Sequence, residues 1–168
     1  MVNRYSSQAD NRKQPLVWHW CDRILSFPEL NLFLFAFFLH FIYEVWQAPF
    51  YEFYDDPTLA GKIGALTHCT FGDGVITVVC SLLVSAILRS RRWIIYPATK
   101  AMVWFIGLGW GYTFFSEIYR IRIANLYGVL GFRIPGLDIS VLPLIQWLII
   151  PPLVVYFSRY QILGHRVE

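Results

Sequence analysis

A histidine and a glutamate stand four residues apart in HFIYEVWQ, His40 to Gln47, within a run that is otherwise apolar from ELNLFLFAFF onward. On a helix that spacing puts both side chains on one face, about 6 Å apart along the axis. An imidazole and a carboxyl held together out of water form a proton donor and acceptor pair. Further along, Asp73 sits between two glycines in FGDGV, Glu117 closes GLGWGYTFFSE, and Gln146 and Trp147 stand together in LIQWLIIPP. Trp46, Trp104, Trp110 and Trp147 offer π faces that could steady a cationic ligand or a carbocation without adding a base. Such a set suits acid–base rearrangement of an apolar, lipid-like substrate, and suits equally the binding of an amphiphilic amine.

These groups need an environment that explains their company. The chain has 168 residues, of which 57% are hydrophobic, 18% aromatic and 15% charged. A water-soluble domain has about 25% charged residues, so lipid is the expected solvent. Four apolar runs reach the roughly 20 residues that a helix needs to cross the hydrocarbon layer: about 30–49, 65–88, 99–119 and 139–157. They are continuously apolar, not alternating, which argues against a membrane barrel. The expectation is an all-α integral membrane protein, a four-helix transmembrane bundle. Residues 1–28 would form a cytoplasmic and interfacial segment, 29–158 the transmembrane domain and 159–168 a cytoplasmic tail. PLVWHWCDRILSF has the spacing and the tryptophans of a short amphipathic helix in the interface, with an irregular tether as the alternative, and no cleavable signal peptide is expected before it.

With an even number of spans both termini share a side. That side would hold ten basic residues, among them Arg89, Arg91, Arg92, Lys100 and Arg159, against Lys62, Arg120, Arg122 and Arg133 on the other. The excess places both termini in the cytoplasm, of a bacterial inner membrane or the endoplasmic reticulum. The net charge of +3 is then a matter of topology and calls for no nucleic-acid partner. Cys69 and Cys80, eleven residues apart on one helix, lie about 16 Å apart along its axis and cannot be bridged. No cofactor is implied. Lipid-like small molecules and the surrounding lipids are the expected partners, and a homodimer is compatible with the sequence.

Depth along the helices ties the two halves of this reading together. Glu44 falls roughly 7 Å, Gln146 roughly 10 Å, Asp73 roughly 12 Å and His40 roughly 13 Å below one boundary of the membrane, with Glu117 about a turn from the same side. The other halves, VVCSLLVSAIL, AMVWFIGLG and LIIPPLVVYF, carry no comparable groups. A charge at mid-bilayer costs about 2.5–3.5 kcal/mol even on insertion scales, so such groups should face inward and meet. The expected site is a polar chamber in which His40, Glu44 and Asp73 handle protons while Trp46, Trp110, Glu117, Gln146 and Trp147 hold a ligand. Glu117 could instead pair with Arg120, and Gln146 could be hydrogen-bond glue between helices. Gly72 and Gly74 would allow close approach beside Asp73, and Gly107 with Gly111 would form a small-residue packing face. A metal site built from His40, Glu44, His68, Asp73 and Glu117 is a further alternative, although no Glu-x-x-His pair of the di-metal bundles is present.

The run FLHFIYEVWQAPFYEFYDD resembles the signature helix of the emopamil-binding protein family, the EXPERA domain that includes sterol delta8-delta7 isomerase. The parallel continues through THCTFGDGVITVVCSLLVSAILRSRR, GLGWGYTFFSEIYR and IQWLIIPPLVV, about residues 30–157. The resemblance implies a four-helix fold, a proton-handling role for His40 and Glu44, and a pocket lined by Asp73 and Trp147. The chain departs from the isomerase in having Asp between glycines in place of Glu and in lacking its extra first helix. A sterol- or lipid-binding relative without catalysis fits those departures, as does a scaffold.

Overall fold

The structure, a computed structural model, describes residues 27–52 and 58–164; the expected interfacial helix at 15–27 lies outside them except for Phe27, as do residues 165–168 of the expected tail. Four helices account for most of the described chain: α1 Pro28–Gln47, α2 Leu59–Ile87, α3 Thr99–Ile118 and α4 Leu142–Gly164. Short 3-10 turns follow α1 (Ala48–Phe50) and α2 (Arg91–Ile94), and a π turn, Tyr119–Ile123, follows α3. Among the described residues the extended backbone amounts to two isolated bridges, Tyr51 to Val129 and Arg133 to Ser140.

Local chemistry sets the ends. Pro28 occupies the first turn of α1, where its missing N–H costs nothing. Thr58 caps α2, its Oγ1 accepting from the Gly61 amide at 3.1 Å, and so the helix begins at Leu59, six residues before the apolar run that the sequence marks. The hairpin after α2 turns through Arg89 in the left-handed region (φ 50°) and is pinned by Trp93, whose Nε1 donates to Ser85 Oγ at 3.1 Å. The Ser140 hydroxyl accepts from Leu142 N at 3.2 Å and starts α4 three residues later than the sequence pattern suggested. At its far end α4 runs to Gly164, seven residues past the expected Phe157, and Arg159 Nε donates to the Ile95 carbonyl at 2.8 Å.

Among the described residues three segments are long and apolar enough to cross a membrane: Pro28–Phe50, Leu59–Ile87 and Leu142–Gly164. The molecule is thus all-helical with the features of a multi-pass membrane protein. The third expected span falls short, because α3 spends much of its length on Gly107, Gly109, Gly111, Trp110 and Tyr112, which contribute little hydropathy, and has Lys100 and Glu117 near its ends.

α1 packs against both α2 and α4, and α3 closes on α4; α2 and α3 are the least closely packed neighbours in this ring. The buried stripe of α1 runs Leu32, Ala36, His40, Glu44, Gln47, at helical spacing, and changes character midway. Its first half joins Cys80, Val84, Trp93, Phe105 and Val154 in a continuous apolar core. Its second half is polar. The bundle therefore has an apolar end, where α2 turns into α3, and a polar end, where α1 finishes and the long connection from α3 to α4 folds over.

Candidate functional site

At the polar end lies a cavity of about 230 Å³ whose wall draws on all four helices. α1 contributes Glu44 and Gln47, α2 His68, Cys69 and Asp73, α3 Thr113, Ser116 and Glu117, and α4 Pro143, Gln146 and Trp147. The α3–α4 connection roofs it. Glu52 N donates to Gly128 O at 3.1 Å and Leu130 N to Phe50 O at 2.8 Å, joining the end of α1 to this connection. Arg122 is paired with Asp138 at 2.6 Å, and Arg133 Nε donates to the Val129 carbonyl at 2.6 Å, folding the strap back on itself. Tyr127 projects from it into the cavity wall.

Gln146 is the centre of the deeper polar cluster. Its Nε2 lies 2.8 Å from His40 Nδ1, 3.4 Å from Glu44 Oε1 and 3.5 Å from Asp73 Oδ2, while its Oε1 accepts from Gln47 Nε2 at 3.4 Å. His40 Nδ1 is also 3.3 Å from Asp73 Oδ2. One ring nitrogen thus faces an amide donor and a carboxylate acceptor together. As the Nε2–H tautomer His40 accepts from Gln146; as the Nδ1–H tautomer, or charged, it donates to Asp73. The ring is wholly buried and its Nε2 has no partner among the described residues, so neither state is satisfied at both nitrogens.

Trp147 fixes the ring. The two ring centroids are 5.4 Å apart at 48°, and the indole is buried because α3 passes it at Gly109. A Cβ at Gly109 would stand 2.0 Å from Trp147 Cζ3, so only glycine lets the helices meet there.

A second cluster lies toward the roof. Glu117 accepts from Tyr127 OH at 2.9 Å and from Tyr51 OH at 3.5 Å, with Arg120 in the adjoining wall. Burial, and after it the neighbouring Glu117 carboxylate, raises the Tyr127 pKa above the ordinary phenol value; Arg120 works against this. The phenol is therefore held as a neutral donor.

The expected chamber residues divide. His40, Glu44, Asp73, Glu117, Gln146 and Trp147 converge at one end of the bundle, with His40 behind the wall and the other five in it. His40 and Glu44 do not meet directly; Gln146 stands between them, and the direct acidic neighbour of His40 is Asp73. Two corrections concern tryptophans. Trp46 is 56% exposed and packs on Tyr43 and Phe50, and Trp110 stacks on Phe114; neither belongs to the cavity wall. On α1, Trp46 lies a step round the helix from the His40–Glu44–Gln47 stripe, which is the physical reason. The expected Gly107–Gly111 packing face is corrected too. Both positions are open, and the glycine that packs is Gly109. Beside Asp73, Gly74 meets Phe33 and Gly72 meets nothing.

Gln47, Tyr51 and Tyr127 are wall residues that sequence reasoning passed over. Gln47 was within reach of it, being seven residues from His40 on the same face; Tyr127 enters from a connection with no periodicity to betray it. Among the described residues no three His, Cys, Asp or Glu side chains are grouped closely enough to hold a metal ion, so the five-residue metal set does not form one centre. No protein-family model, curated protein or solved structure matches the chain.

Proposed function

We propose that this is a four-span membrane protein whose polar-end cavity takes a lipid-like or sterol-like molecule, and that it moves a double bond in that molecule by acid–base chemistry. The observation that carries the reading is His40 Nδ1 poised between Asp73 Oδ2 and Gln146 Nε2, with Glu44 on the same amide and both carboxylates on the cavity wall. α3 is the fourth span in this reading, since its 20 residues cover about 30 Å, the hydrocarbon thickness. The ten-to-four excess of basic residues on the side of the termini, counted along the sequence, supports a cytoplasmic location for both.

The chemistry is a proton shift of zero net stoichiometry. A protonated Glu44 carboxyl delivers its proton to one alkene carbon, leaving a tertiary cation beside the Trp147 face. The Asp73 carboxylate, backed by His40, removes a proton from the carbon on the other side of the cation. The double bond moves by one position, the proton lost by Glu44 equals that gained by the Asp73–His40 pair, and returning it resets the site. Membership of the emopamil-binding family is part of the same proposal, supported by the order of HxxxE, Asp, Glu and Gln-Trp along the four helices.

Incubation of the reconstituted protein with a delta8 sterol in D2O tests it. Isomerised product carrying deuterium at one carbon is expected, lost in Glu44→Gln and Asp73→Asn proteins that still fold. A second reading, a binder of amphiphilic amines without turnover, draws on the three carboxylates Glu44, Asp73 and Glu117 around so small a space. Saturable amine binding with no deuterium uptake by the wild type would favour it and refute catalysis.

A further inference from the structure

The cavity has an unequal wall. Its α1 and α4 members, Glu44, Gln47, Gln146 and Trp147, are all buried. Those that are open belong to the facing edges of the other pair: His68 and Tyr112 are exposed, and Cys69, Asp73 and Ser116 are half-buried. α2 and α3 are also the neighbours that pack least closely. On α2, Gly64, His68 and Gly72 follow one another at four-residue spacing, and no atom lies within 4 Å of where a Cβ at either glycine would stand. The other end of the bundle is plugged by the apolar core, and the roof strap closes the top.

Volume makes the same point from the ligand's side. Pockets that enclose a whole small molecule measure roughly 300–1,000 Å³. This one holds about 230 Å³, so it encloses part of a fused-ring skeleton or of a long chain and not the whole.

We infer that the α2–α3 seam is a lateral portal to the bilayer, and that the ligand is an amphiphile of which only one end, the end bearing the reacting or recognised group, enters between Ser116 and Cys69 while its apolar remainder stays among the lipid tails. This rests on the proposed ligand cavity and adds to it a route and a shape of ligand. Partitioning into the membrane concentrates such a molecule, and the portal spares it a passage through water. The polar roof cluster of Glu117, Tyr127 and Arg120 then closes the aqueous side, so that Glu44 and Asp73 exchange partners with the bilayer and not with the solvent.

Two reagents for the same carboxylates test the route in liposomes carrying the full chain. A long-chain alkyl diazirine dissolved in the bilayer esterifies carboxyl groups on photolysis; a water-soluble carbodiimide with a hydrophilic amine modifies those that water reaches. Peptide mass mapping is expected to find the alkyl adduct on Asp73 and Glu44 and the amide adduct absent from both. Ser116→Trp should cut the alkyl labelling several-fold while leaving that of outward-facing residues unchanged, and Tyr112→Ala should increase it. Amide labelling equal to the alkyl labelling, or alkyl labelling indifferent to both substitutions, overturns the portal. Because these readouts need no turnover, they separate from the deuterium experiment: a labelled cavity in a protein that neither isomerises nor binds would overturn the proposed function alone, whereas an inactive portal in a catalytic protein would overturn this inference alone.

Discussion

Replacing Gly109 by alanine isolates the contact on which the deeper cluster depends. The added methyl would stand 2.0 Å from Trp147 Cζ3 and 2.1 Å from Cε3, well inside van der Waals contact. A helix backbone cannot retreat from one neighbour alone, and the indole is 1% exposed and backed by His40, so it has no vacant rotamer to adopt. Overpacking of a close-packed interior costs roughly 1–3 kcal/mol, while glycine to alanine in a helix returns about 1 kcal/mol. The clash is severe enough to place the net loss near the top of what remains, about 2 kcal/mol. Gly107→Ala and Gly111→Ala, where nothing lies within 4 Å, should instead be neutral or gain up to about 1 kcal/mol. Denaturant unfolding in bicelles measures all three. Trp147→Ala alone should cost about 3–5 kcal/mol, and combined with Gly109→Ala it should cost little more, a coupling within the roughly 0.5–3 kcal/mol seen for touching residues. Additive losses in the double variant, or three equivalent glycines, would refute the packing argument.

Other consequences can be checked separately. Gln146→Leu strips hydrogen bonds from His40, Glu44, Asp73 and Gln47, and should lower stability by roughly 1–3 kcal/mol in the same unfolding assay. Tyr127 has a folded pKa above its unfolded one, so its contribution is complete below about pH 10 and is lost as pH rises beyond it, where only the unfolded chain has released the proton. Tyr127→Phe should accordingly flatten the alkaline limb of a stability profile; an unchanged limb would contradict the burial of that hydroxyl. Thr58→Ala removes the α2 cap, should cost about 1 kcal/mol, and should speed hydrogen exchange at Gly61 while leaving the middle of α2 alone.

Much of this molecule is legible in the one-dimensional chain. Composition alone demands lipid, and the length of apolar runs locates α1, α2 and α4, because a backbone in hydrocarbon must bond to itself and the helix is the way one segment does so. Spacing puts His40, Glu44 and Gln47 on one stripe, and matched depth brings Asp73 and Gln146 to them. What periodicity does not hold is azimuth. A helix that is hydrophobic nearly all round gives no sign of which side meets a neighbour, so the placing of Trp46 and Trp110 outside the cavity wall, and the choice of Gly109 over Gly107 and Gly111, were decided by packing. The partner of His40 followed the same rule. Sequence proximity pointed to Glu44, but Gln146 arriving from α4 stands between the two, and the carboxylate beside the imidazole is Asp73 from α2. Tyr127, carried in by an aperiodic connection, belongs wholly to the tertiary fold.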